Sequence, residues 1–314
     1  MKKIFLILLC GAFLLTSCGS GGNRSQSIMY EKDTPHNRIA QYIEDLAAED
    51  MAGRRAGTEG EIKASLFLAN FFQQAGLQPA GDLNTYFQTF SIGRYEPREV
   101  KKRMVFQLRP GEGGQAENIL GILPGKEPGY IVICAHYDHL GIINDQLYPG
   151  ANDNASGVAI VMELINQLVE RKPTYSILFA LWSAEEMGLL GSKYFCSNPT
   201  VPLQEIKAVV NFDSIGNLSD NKELLAWQAK ENETSKRIID ILEKDGWTIK
   251  WEEANANTSD QASFNNKGVA GFTLLSPKWL NRNHTIKDEA RRIEIEPLVD
   301  LVETFKKALL TIGR

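Results

Sequence analysis

The chain is sparing with the two residues that most often announce a metal or redox protein: four cysteines and four histidines among 314 residues. No CxxC pair and no Cys/His finger spacing occurs, so nothing in the cysteines points to a zinc finger. Charge of one sign is lacking as well. A net charge of -5 leaves no electrostatic footprint for nucleic acid. The dense basic run Arg98 to Arg103 is interrupted by Glu99 and Val100 and reads as a solvated strand or loop. Nucleic-acid binding is set aside. No fixed-period repeat or long linker divides the chain, and a hydrophobic content of 43% fits a globular protein with a substantial core.

The one long apolar run, Ile4 to Leu15, follows Lys2 and Lys3 and is too short to span a membrane stably; residues 1–17 read as an export signal. Its end, Leu15-Thr16-Ser17-Cys18, resembles the bacterial lipobox, so Cys18 is expected to become a lipid-bearing mature N-terminus. Residues 18–32, with Gly, Ser and Asn concentrated in Gly19 to Ser27, suit a flexible tether, and residues 33–314 form the folded domain. An acidic domain gains nothing from anionic headgroups, so the lipid on Cys18 supplies the membrane attachment. The expected location is the cell envelope, on an outer membrane facing periplasm or surface. Cys10 leaves with the signal. Cys134 and Cys196 remain, too few for a disulfide framework, and Cys134 is expected to be a buried free thiol.

Thr34-Pro35 reads as an N-cap with proline at the first helical position. Thr58 with Glu61 reads as a capping box opening a second helix that stops near Gly76. Apolar β-rich runs then alternate with helical patterns: Met104 to Leu108, Asn118 to Leu123, Tyr130 to Cys134, a helix from Ala155 to Glu170, Tyr175 to Trp182, and so on to a last helix from Pro297 to Ile312. Runs as continuously apolar as Tyr130 to Cys134 and Ser176 to Leu181 need helices over both faces. The expectation is a single α/β domain, a central mixed and mostly parallel sheet flanked by helices on both sides.

Chemistry gathers where these strands end, the edge at which open α/β sheets bind ligands. His136 and Asp138 share one face of an extended segment, so one imidazole nitrogen can bind metal while the other meets the Asp138 carboxylate. Asp153 lies in the polar turn Gly150-Ala-Asn-Asp-Asn-Ala-Ser-Gly157. Glu185 and Glu186 follow an apolar strand directly, and two adjacent carboxylates there are costly unless cations compensate them. Asp213 ends another strand and His284 lies beyond the last. His136, Asp153, Glu186, Asp213 and His284 make an N/O donor set that suits Zn²⁺. One bridging carboxylate plus two ligands per ion accounts for all five, with the ions roughly 3.5 to 4 Å apart.

The segments HYDHLG, GANDNASG, SAEEMGLLGS, NFDSIG and NHTIKDE resemble, in order and spacing, the zinc aminopeptidase family of co-catalytic metallopeptidases, within a superfamily that also holds glutaminyl cyclases. Met51-Ala-Gly-Arg-Arg-Ala-Gly-Thr-Glu-Gly60 resembles that family's N-terminal segment. The resemblance implies two zinc ions per chain: His136 and Asp213 on one, Glu186 and His284 on the other, Asp153 bridging. It also implies Glu185 as general base, Asp138 supporting His136, and Asp288 positioning the His284 loop. The implied activity is aminopeptidase hydrolysis of peptides; the alternatives are a glutaminyl cyclase and a binding protein that kept the fold without catalysis. The pattern departs from the family at Gln261, beside Asp260, where histidine is common, in a segment that in the family lies near the substrate. With the ligands already assigned, His139 reads as a loop or pocket residue. Trp247, Trp251 and Trp279 read as packing residues that an apolar pocket could also use.

Overall fold

The computed structural model describes residues 33–253 and 259–312. The signal and tether segments, Cys18 and Thr258 lie outside the described residues. Thr34 caps the helix Pro35–Leu46 as its sequence suggests, its side chain accepting the Asn37 N–H at 3.3 Å. The second helix, Glu59–Gln74, starts differently. Thr58 makes no side-chain cap bond, because Glu61 turns inward, where Tyr137 Oη and Ser183 Oγ donate to its carboxylate together with the N–H groups of Gly57 and Glu117.

The central sheet runs Gln78–Pro79, Gln115–Leu123, Tyr175–Trp182, Glu127–His136, Ile206–Phe212, Gly271–Leu275, Glu223–Lys230, Thr248–Glu253, with Phe87–Ser91 also paired to Gln115–Leu123. Parallel pairing joins Tyr175–Trp182, Glu127–His136, Ile206–Phe212 and Gly271–Leu275, and separately Glu223–Lys230 with Thr248–Glu253. The other ladders of this sheet are antiparallel. The mixed sheet is therefore parallel across its four central strands and antiparallel where Gln115–Leu123 and Glu223–Lys230 flank them.

Side-chain alternation builds two cores. Ile131, Ile133 and Ala135 face the helices Pro35–Leu46, Glu59–Gln74, Ser156–Leu168, Glu233–Lys244 and Ile295–Thr311. Val132 and Cys134 face the other side, with Phe195 and Phe264. Burial on both faces explains the uninterrupted apolar runs. Cys134 is a buried free thiol, as is Cys196. Among the described residues no helix is long and apolar enough to cross a membrane.

The run at Met104 to Leu108 does not join this sheet. It belongs to a separate antiparallel hairpin, Arg94–Val100 with Arg103–Arg109, which carries the basic run in a largely exposed position. The hairpin still touches the working edge of the molecule: Arg103 donates to the Leu280 carbonyl at 3.0 Å.

Candidate metal centre

The four central parallel strands end at His136, Trp182, Phe212 and Leu275, and the loops beyond them converge. His136, the last residue of its strand, is buried. Its Nδ1 lies 3.2 Å from the Asp138 carbonyl oxygen and 3.7 Å from Asp138 Oδ1. That leaves Nε2 facing Asp153 Oδ1 at 3.3 Å and Asp213 Oδ1 at 3.6 Å. The Asp138 carboxylate accepts the main-chain N–H groups of Glu185 and Glu186 at 3.0 and 3.4 Å, so one residue meets the imidazole through its carbonyl oxygen and holds the Glu185-Glu186 turn through its side chain.

Asp153 faces two imidazoles at once, with Oδ1 toward His136 and Oδ2 3.2 Å from His284 Nε2. Its neighbours fix it there. Asn152 donates to Asn283 Oδ1 at 2.7 Å and accepts from Gly216 N at 2.8 Å. Asn154 donates to the Phe212 carbonyl at 2.9 Å and accepts from Ser214 N at 3.1 Å. Asp288 accepts the N–H groups of Asn152 and Asp153 at 2.8 and 3.0 Å, so it anchors the Asp153 turn. Glu186 turns its Oε2 to within 3.1 Å of His284 Nε2; it and Glu185 beside it are both half-buried. His284 Nδ1 meets the Met104 carbonyl at 2.7 Å, which points Nε2 at the acids.

The loops hold strained backbone: Ala184, Ser214 and His284 all have left-handed φ, at 55°, 48° and 58°. Such strain is tolerated here because the surrounding loop contacts hold the backbone in place.

The electrostatics are those of crowded acid. Burial opposes ionisation of Asp153, but His136 and His284 hold it well below the usual carboxylate range. Burial opposes ionisation of Glu186 too, and His284 outweighs it, bringing the carboxyl to about 2. Glu185 is pushed well above the usual range by burial, with Glu186, Asp213 and Asp260 adding to the shift against His136. Burial disfavours charge on His136 and His284, yet facing carboxylates, Glu185 for the first and Glu186 for the second, raise both rings. Donor atoms of His136, Asp153 and Asp213, and again of His139, Asp153 and Glu186, lie within 4.8 Å of one another. These sulfur-free imidazole and carboxylate sets fit zinc, and dications are what so much buried negative charge calls for.

Several residues here carry no signal that sequence alone can read as a role. Arg54 is fully buried and donates to the carbonyls of Tyr137, Leu46, Pro149 and Gly150, tying the end of the His136 strand to the Asp153 turn. Burial lowers it to about 10. It sits in the Met51 to Gly60 segment, whose motif was visible and whose purpose was not. His139 lies in the loop after its strand, as expected, and is fully buried with Nδ1 2.9 Å from Glu186 Oε1. Gln261 is also buried, accepting from Thr273 Oγ1 at 2.6 Å, so it is packed behind a strand. Asp260 next to it is raised to about 7 by burial. Trp247 and Trp279 are packing residues, the first donating to Thr304 and the second edge-on to Trp227.

A family model described as peptidase family M28 matches residues 118–309. The chain belongs to peptidase family M28. Among curated M28 relatives it is 27% identical over 249 residues to leupeptin-inactivating enzyme 1 of Streptomyces exfoliatus, covering 78% of this chain and 50% of that one. The chain spans about half the length of the curated relatives it matches first. Among solved structures it is similar to BSAP, a zinc aminopeptidase from Bacillus subtilis, at TM-score 0.69 and 18% identity, covering 87% and 94% of the two chains. It is also similar to the glutaminyl cyclase of Fimbriiglobus ruber, at TM-score 0.65 and 16% identity, covering 89% and 95%. These likenesses show a fold shared by both kinds of protein.

Proposed function

We propose that the chain is a zinc-dependent aminopeptidase that removes N-terminal residues from peptides, with two zinc ions held by His136, Asp153, Glu186, Asp213 and His284. The observation that carries this reading is the position of Asp153, one oxygen toward His136 and the other toward His284, with Glu185 half-buried on the turn that also carries Glu186.

Zinc held by these residues would supply Lewis acidity to a water and to the scissile carbonyl. Glu185 takes the proton from that water as it attacks and returns it to the leaving amine. Asp138 keeps Glu185 available by holding the main chain of the Glu185-Glu186 turn, so the two adjacent carboxylates point apart. The cationic charge also favours the ionised form of Glu185 that a base requires, against the burial that disfavours it. The surplus of acid suits a free substrate α-amine, which favours an exopeptidase.

Purified protein is expected to contain near two zinc ions, to release N-terminal residues from short peptides, and to lose activity to a chelator and regain it with zinc. Glu185→Gln is expected to bind zinc as the parent does while kcat falls by about 10² to 10⁴; hydrolysis at the parent rate would overturn the mechanism. Because the fold is shared with a cyclase, glutaminyl peptides are the control. Cyclisation without hydrolysis of aminoacyl amides moves the assignment to glutaminyl cyclase.

We also infer a lipid anchor on Cys18 in the cell envelope, which the sequence Leu15-Thr16-Ser17-Cys18 supports. Labelling with radioactive palmitate is expected to mark the parent and not Cys18→Ala.

A further inference from the structure

His139 is the buried imidazole that the five-ligand assignment leaves over. It has no exposure to solvent, and among the described residues neither ring nitrogen has a hydrogen-bond partner. Nδ1 is 2.9 Å from Glu186 Oε1, yet the two are out of line for a hydrogen bond, and Glu186 Oε1 is itself unpartnered. Burying unpaired polar atoms of this kind costs on the order of 1–3 kcal/mol each, so a fully enclosed ring with two of them calls for something between it and the acid.

The surroundings are shaped to the ring. Gly150 has a left-handed φ of 62°, and a Cβ there would come within 2.5 Å of His139 Cγ, so only glycine leaves the space the imidazole fills. The His284 ring lies T-shaped to it, centroids 5.8 Å apart. Donor atoms of His139, Asp153 and Glu186 lie within 4.8 Å of one another, and three of the spacings among the polar atoms match those of a coordination shell. Ligands about 2.0 to 2.1 Å from a tetrahedral zinc stand about 3.3 Å from each other. Here His139 Nδ1 to Glu186 Oε1 is 2.9 Å, His284 Nε2 to Glu186 Oε2 is 3.1 Å and His284 Nε2 to Asp153 Oδ2 is 3.2 Å.

We propose that His139 Nδ1 is a protein ligand to the ion on the Glu186 side, completing a set of His139, Asp153, Glu186 and His284. The inference rests on the two-zinc reading above. Its consequence is asymmetry. The ion on the Glu186 side has a closed protein shell, as structural zinc sites do, while His136, Asp153 and Asp213 leave the other ion the open position that catalysis needs.

The test uses the full folded chain loaded with Co²⁺ and counts hyperfine-shifted, exchangeable imidazole N–H protons by NMR, one for each ligating histidine. His36, the remaining histidine, sits on the surface against Glu296 and contributes none. Three signals are expected in the parent and two in His139→Asn. Two signals in a parent that holds two ions would overturn this inference and leave the metallopeptidase reading standing; a parent that binds no ion would end both. His139→Asn keeps an N–H donor near the position of Nδ1, so it would rescue a residue that merely orients Glu186. Losing an orienting partner costs roughly 10- to 100-fold in metal affinity. We expect His139→Asn to weaken one zinc by more than about 100-fold and to leave the other at parent affinity; two zinc affinities unchanged from the parent would refute the assignment. The parent spectrum decides the matter even if the variant fails to fold.

Discussion

Met104 offers its main-chain carbonyl to His284 Nδ1 at 2.7 Å, so a hairpin outside the central sheet decides which nitrogen of that ring faces Asp153 and Glu186. Replacing residues 95–108 by a short glycine turn removes this partner without altering any proposed ligand. The expected result is a roughly 10- to 100-fold loss of affinity for one zinc ion, the usual effect of losing a ligand's outer hydrogen bond, read by chelator competition. Met104→Leu, which keeps the carbonyl, is expected to bind zinc as the parent does.

The tip of the same hairpin is a two-residue turn, Lys101-Lys102, with left-handed φ values of 50° and 66°. Asn-Gly is the preferred pair for such a turn, and L-residues other than Asn, Asp and Gly carry about 1–2 kcal/mol of strain there. Exchanging Lys101-Lys102 for Asn-Gly is expected to raise the thermal midpoint and leave zinc content unchanged. An unchanged or lower midpoint would mean that the lysines make compensating contacts.

Glu61 gives the stability a pH dependence. Burial raises its folded pKa to about 7, from an ordinary value of 4.5. Between those values the folded chain keeps the proton and the unfolded chain releases it, so the stabilisation is complete below about pH 4.5 and is lost as pH rises to about 7, by roughly 3 kcal/mol. Glu61→Gln, neutral throughout, is expected to remove this slope and to be the more stable form above pH 7. Thermal midpoints measured from pH 4.5 to 8 decide it, and parallel curves for the two proteins would contradict the assignment.

Arg54 holds four carbonyls with one guanidinium. Arg54→Met removes the charge and strands those oxygens, and is expected to destabilise the fold by about 3–5 kcal/mol in urea unfolding. Arg54→Lys, with fewer donors, is expected to fall between the two. A loss below about 1 kcal/mol would show that water replaces the guanidinium.

The sequence made the strand ends legible for a simple reason. Runs such as Tyr175 to Trp182 are apolar without interruption, so the first polar residues after them, Glu185 and Glu186, stand out at a boundary. Asn152 and Asn154 were visible as a polar turn, but their clamping of Asn283, Phe212 and Ser214 needs strands that are neighbours only in three dimensions. Glu61 misled for the same reason: three residues after Thr58 it has the spacing of a helix cap, and a buried tyrosine and serine from distant strands draw it inward. Counting ligands leaves His139 over, and its enclosure has no counterpart in the sequence. β propensity marks Met104 to Leu108 as a strand and says nothing of which strand is its partner.

Because Asn152, Asn154 and Asp288 fasten the Asp153 turn to segments at Phe212, Ser214 and Asn283, no stretch of chain can present the donors before the others are in place. Partly synthesised or partly unfolded molecules would compete poorly for scarce zinc, and capture of the metal would come last, as a check that the entire sheet edge has been assembled.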